Sequence, residues 1–315
     1  MKLITVFTIG LMTLFVKESL GWNPNQYLNA NTVYNLKDSA DINKQRLTWV
    51  VGGKAVAITG SIIVLDQMWY SDFPRNSFHF EDDILHWKQL DKLGHITSAY
   101  HISSAGYKMF RWTGLDNNKS ALYGSLASTL FMTSVEILDG FSKEWGFSVS
   151  DQAANMLGAG MFYSQQLLWE SQKIKPKYSF TSSGLENYRP GLLGSNRVEN
   201  MLKDYNGMTF WLSMNMNMFS QEIEIFPPWL NIAVGYGGNG MLGSVENPSE
   251  HDGQTLPQLE RYRQWYLAPD VDFSKINTDS QFLQLIFDAI DFIKMPAPAI
   301  EYNSKHGWHF HLVYF

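Results

Sequence analysis

E-I-L-D-G-F-S-K-E-W-G-F-S-V-S-D-Q-A-A-N-M-L-G, Glu136 to Gly158, carries a helix end, a turn and a helix start in one short stretch. The helix bearing Glu136 and Asp139 runs out at Gly140. An aromatic turn follows through Phe141, Trp145 and Phe147. A second helix then begins, with Asp151 in its first turn, where a negative charge suits the positive helix end, and Asn155 one turn later. Ser150 is the expected N-cap. Four polar groups therefore lie between two otherwise apolar helices. They form either a site or an internal polar clamp.

Upstream, Asp91 to Trp112 reads as a helix with Asp91, His95 and Ser98 on one face, three and four residues apart. Lys92 shares a neighbouring face with His95. Ala121 to Leu138 is the next helix, and its small residues Gly124, Ser125, Ala127 and Ser128 predict close helix approach. Asp151 to Glu170 follows. A carboxylate four residues before a histidine can orient it as a general base, and a lysine beside it suits an anionic substrate. The same pair can supply two ligands to a divalent metal. Glu136 and Asp139 can divide acid and base roles or hold a cation. The structural alternative is an ordinary salt bridge at Asp91, a charge at Glu136 that neutralises Lys92, a turn cap at Asp139, and helix-packing groups at Asp151 and Asn155. The sequence names no cofactor and no metal.

Residues 1–21 read as a secretory signal, with Lys2 as its charged start and Leu3 to Val16 as an apolar run too short for a comfortable membrane span. Residues 22–48 read as a polar, Asn-rich arm. Trp49 to Leu65 is the most apolar mature stretch, a buried helix or a marginal membrane helix. Glu81, Asp82 and Asp83 read as an acidic helix start. The chain has no cysteine, which excludes thiol catalysis, cysteine metal sites and a lipid anchor on an N-terminal cysteine. Charged residues make up only 17% and aromatic residues 15%, so most of the surface is buried against itself or against lipid. Net charge is −6 with no basic run, which argues against nucleic acid as a partner.

The composition breaks at K-I-K-P-K, and 173–205 reads as a linker after a helical domain at 49–172. The period then changes. Met208, Phe210, Leu212, Met214, Met216 and Met218 alternate with polar residues, a strand pattern. Leu230 to Gly237, Arg261 to Phe273 and the C-terminal G-W-H-F-H-L-V-Y-F are further strands, while Asp279 to Ile293 returns to helical spacing. Asp270 and Asp272 are expected to face solvent. The glycines from Gly235 to Gly240 mark a bulge or tight turn, with no nucleotide-loop context. Only four strands are legible, short of the roughly eight that open the range of outer-membrane barrels. The expectation for 206–315 is a small twisted antiparallel sheet packed on one helix, touching the outer membrane.

D-K-L-G-H at 91–95, E-I-L-D-G-F-S at 136–142 and W-G-F-S-V-S-D-Q-A-A-N-M-L-G at 145–158 resemble the YfiM-like family of predicted periplasmic lipoproteins. The order D-K-x-x-H, E, F-S-x-x-D-x-x-x-N-x-x-G is also similar to VanZ-like membrane proteins. The resemblance covers residues 80–170. It implies membrane-associated helices in a bacterial envelope and singles out Asp91, Lys92, His95, Glu136, Asp139, Asp151 and Asn155, without a settled reaction. The fold class expected is α+β, a membrane-associated helical bundle followed by an antiparallel sheet with one helix. The function expected is an exported envelope component in the periplasm or at the outer membrane, partnered by membrane lipid or other envelope proteins. The rival is an enzyme on an envelope lipid or glycan, with His95 as base, Lys92 binding an anionic group, and Glu136 and Asp151 as acid or metal ligands.

Overall fold

The computed structural model describes residues 42–65, 74–218 and 226–315. The expected signal at 1–21 and most of the expected arm lie outside the described residues. Two compact units are present among them. One holds the helices up to residue 84 and from 98 to 172. The other holds 85–97 and 173–315, so the division falls within a single helix, between residues 97 and 98.

The helical unit contains α1 (Lys44–Leu65), most of α2 (Leu90–Trp112), α3 (Asn117–Gly140) and α4 (Val149–Trp169). Two-residue strands β1 (Phe80–Glu81) and β2 (Phe147–Ser148) pair in parallel. The acidic run at 81–83 is thus no helix start. Glu81 accepts from the Gly146 amide at 2.9 Å, and Asp83 accepts from the hydroxyls of Ser148 and Ser150 at 2.5 and 2.8 Å. Asp116 caps α3 through the Lys119 amide. The small-residue face of α3 does bring helices close. A Cβ on Gly124 would lie 2.5 Å from the Tyr107 backbone nitrogen, and the Ser128 hydroxyl donates to the Ala99 carbonyl at 2.7 Å.

The second unit is built on a six-stranded antiparallel sheet in the order β10-β9-β8-β5-β4-β3. Its strands are β3 (Ile174–Phe180), β4 (Met208–Asn215), β5 (Leu230–Asn239), β8 (Tyr262–Val271), β9 (Ala297–Asn303) and β10 (Gly307–Tyr314). Short helices α5 (Pro190–Leu193) and α6 (Arg197–Lys203) follow β3, the minor hairpin β6 (Glu250–His251) and β7 (Gln254–Thr255) precedes β8, and α7 (Gln281–Ile290) precedes β9. The stretch expected as a linker, 173–205, therefore carries β3 and two helices. K-I-K-P-K looked like solvated linker because its lysines are charged, yet Lys175 and Lys177 alternate onto the inner face of a strand.

That inner face holds a cluster of opposite charges. Lys177 lies 3.0 Å from Asp270, and both are fully buried. Lys175 reaches Asp272 and Asp291, each at 2.7 Å. Lys294 lies 3.8 Å from Asp270 and over the Trp211 ring. Asp270 also accepts from the Ser213 hydroxyl at 2.6 Å. Asp270 and Asp272 thus do not face solvent. Tyr178 on β3 pairs in parallel with Ile293, whose chain runs on into β9. The sheet curls until its β3 edge meets this segment, and the charge cluster lies inside the curl. The strand expected over 208–218 stops at Asn215, where Met218 N bonds back to Asn215 O.

Candidate functional site

Asp91, Lys92 and His95 belong to the sheet unit, and Glu136, Asp139, Asp151 and Asn155 to the helical unit. All but Lys92 are buried. In the sheet unit, the first turn of α2 sets Asp91 and His95 on one face, with His95 Nε2 3.9 Å from Asp91 Oδ1. Lys92 Nζ stands 3.3 Å from Asp91 Oδ2. The Tyr205 hydroxyl donates to Asp91 Oδ1 at 2.7 Å. Asp91 is therefore shared among a phenol, an ammonium and an imidazole. An ionised carboxylate has the lone pairs to accept from several donors at once. This arrangement can orient an imidazole for proton transfer or for ligation.

The turn leading into α2 is unusual. Trp87, Lys88 and Gln89 have φ of 48°, 52° and 67°, a left-handed run without glycine. Such residues persist only where neighbours over-determine them. Here Trp87 stacks on Tyr205 at 5.0 Å, and the Tyr236 hydroxyl donates to the Lys88 carbonyl at 2.6 Å. Arg263 bonds the Gln89 side chain. The Trp87–Tyr205 stack ties the strained turn to the phenol that holds Asp91.

In the helical unit, α3 presents Glu136 and Asp139 inward and α4 presents Asp151 and Asn155. Asn155 Nδ2 lies 3.5 Å from Glu136 Oε1. Ser148, rather than Ser150, caps α4: its hydroxyl accepts the Asp151 amide at 3.0 Å. Ser148 is extended (φ −95°, ψ 119°) because it ends β2, which leaves Ser150 inside the first turn and free to bond Asp83. The aromatic turn is anchored by a phenylalanine cluster in which Phe78 meets Phe80, Phe141 and Phe147 at 5.3–5.9 Å. Gly140 is required beneath it, since a Cβ there would lie 2.4 Å from the Phe78 ring. Buried carboxylates beside an amide suit a cation or a shared proton, or a fixed helix register.

Sequence reasoning missed Tyr205, Asp83 and Ser148 as partners of these residues, and it missed the lysine and aspartate cluster of the sheet. The signal for the last was present. Lys175 and Lys177 share one strand parity, as do Asp270 and Asp272, and the residues between them are apolar or proline.

Residues 78–166 match a family described as predicted periplasmic lipoproteins, DUF2279. The match places the chain in the bacterial cell envelope, in the periplasm or at the outer membrane. No curated protein and no solved structure matches it.

Proposed function

We propose that this chain is a membrane-associated component of the envelope, structural or interacting in role, whose bundle rests on lipid. The carrying observation is the polarity of α3. Leu122, Tyr123, Leu126, Leu130 and Ile137 are exposed, whereas Ser120, Gly124, Ser125, Ser128, Glu136 and Asp139 are buried beside Ala121, Phe131, Met132 and Val135. A water-facing helix carries polar residues on its outer face instead. Among the described residues, α3 is also the one helix long and apolar enough to cross a membrane. The YfiM-like and VanZ-like resemblance of its motif supports the same reading. On this reading Asp91, Lys92, His95, Glu136, Asp139, Asp151 and Asn155 fix helix packing. Flotation of the purified protein with phospholipid vesicles tests it. The expected result is co-flotation that Leu126→Asn with Leu130→Asn weakens. A wild-type chain that stays at the bottom of the gradient overturns the proposal.

A second reading, an enzyme on an envelope lipid or glycan, is favoured by the buried approach of His95 to Asp91. It requires His95→Ala and Glu136→Ala proteins to keep their melting temperature while reproducing the cellular phenotype of a deletion. Collapse of both variants favours packing.

A further inference from the structure

The outer face of the sheet is ordered by chemistry along its strands. Leu267, Ile300 and Phe310 form one row across β8, β9 and β10, paired in register. Trp265, Tyr302 and Trp308 form the next row, again in register. On the β8 side the sequence of this face continues as Pro269 and Val271 beyond Leu267, and as Arg263 beyond Trp265. The turn after Tyr302 carries Lys305 and His306, both exposed. The order along the strands is aliphatic, then aromatic, then basic.

These side chains are uncovered. Trp308, Phe310 and Leu312 are 74%, 69% and 76% exposed, at strand positions where an ordinary sheet places polar residues. The charged residues that would normally face water, Lys175, Lys177, Asp270 and Asp272, are on the inner face instead. A second basic cluster lies at the same end. Lys88 has its pKa lowered first by burial and then by the nearby charges of Arg263 and Arg261.

We propose that this face of β8, β9 and β10 docks in one leaflet of a bilayer with anionic headgroups, with Phe310 and Leu312 among the acyl chains, Trp308 and Tyr302 at the interface, and Arg263, Lys305 and His306 at the phosphates. This rests on the membrane-associated reading and adds to α3 a lipid contact in the sheet unit. The layering decides for lipid against a second protein chain, because lipid-facing sheets carry an apolar band edged by aromatic residues and basic groups meet anionic headgroups. Depth decides against spanning. From Trp265 to Val271 the strand rises about 20 Å at ~3.3 Å per residue, against about 30 Å for the whole hydrocarbon core.

The absence of cysteine makes the test direct. Phe310→Cys, Trp308→Cys and His306→Cys, each alone in the full chain, are labelled with an environment-sensitive fluorophore and mixed with phosphatidylethanolamine vesicles containing phosphatidylglycerol. The expected result is a strong blue shift at 310, a smaller one at 308 and none at 306. Binding should weaken about tenfold on pure phosphatidylcholine vesicles. Co-flotation of the protein with no shift at 310 overturns this inference and leaves the membrane-associated reading standing. Equal binding to both vesicle types overturns the headgroup assignment. A shift at 310 without vesicles, with doubled mass in light scattering, overturns it in favour of a second copy. Failure of the wild-type chain to float overturns both proposals.

Discussion

Asp270 faces two of the lysines on the sheet's inner surface, Lys177 and Lys294. It receives Lys177, the Ser213 hydroxyl and the Met295 amide, with Lys294 beyond hydrogen-bond reach at 3.8 Å. Removing one partner of a buried pair leaves the other charge desolvated and uncompensated, which costs about 3–5 kcal/mol. Asp270→Asn should lose that much in urea unfolding, and Lys177→Met added to it should recover part. A loss under 1 kcal/mol would contradict the geometry. Glu301 makes a pH prediction. Burial pushes its carboxyl up, but hydrogen bonds from Gln264, Asn303 and His311 outweigh burial and hold it below the ordinary value of 4.5. A depressed carboxyl contributes stability that is complete above 4.5 and is lost as pH falls through the folded value. Unfolding free energy measured between pH 5 and pH 3 (a window set by about one unit either side of the ordinary carboxyl range) should fall less steeply in Glu301→Gln than in the wild type.

At the scale of elements, α2 and α3 meet at glycine. A Cβ on Gly124 would stand 2.5 Å from Tyr107 N and 2.8 Å from Ser103 O. Both obstacles are backbone, so the helices themselves must separate. Gly124→Ala should cost about 1–3 kcal/mol despite the better helix propensity of alanine. Thermal melting gives the sign, and a raised melting temperature would refute the close approach. This contact was legible beforehand from the run of small residues at 124–128. The start of α4 was legible to within two residues. Ser150 had the right chemistry for a cap, but Ser148 has the right backbone. Which serine is extended depends on β2 pairing with β1, a contact between residues 67 apart that no local pattern carries.

At the scale of the molecule, the sheet unit should be most protected in its middle. Strands β4, β5 and β8 are bonded on both sides, whereas β10 has a partner only in β9. Amide hydrogen exchange should be slowest in Thr209–Ser213, Asn231–Gly237 and Gln264–Leu267 and faster along β10 in the absence of lipid. Addition of vesicles should slow β10 preferentially. Uniform exchange across all six strands would mean that the sheet opens as one body.

Both polarity patterns were written in the sequence as periods: small and polar residues against leucines on α3, and strict alternation on the strands. Periodicity alone determined the α+β class, the helices around residues 136–158 and the strands near 208, 230, 262 and 307, because side-chain direction follows from backbone repeat. It did not determine which face points inward. For the sheet the ordinary expectation, apolar in and charged out, put Asp270 and Asp272 in water. Folding chose the reverse because Lys175 and Lys177 arrive on the same inner surface from β3, more than ninety residues before their aspartates, and Lys294 joins them from the segment before β9, and a charge enters a core only with its partner. The same holds for Asp91. Its helix face and its spacing to His95 were visible in five residues, but the Tyr205 hydroxyl that holds it comes from more than a hundred residues away, brought there by the packing of the sheet unit.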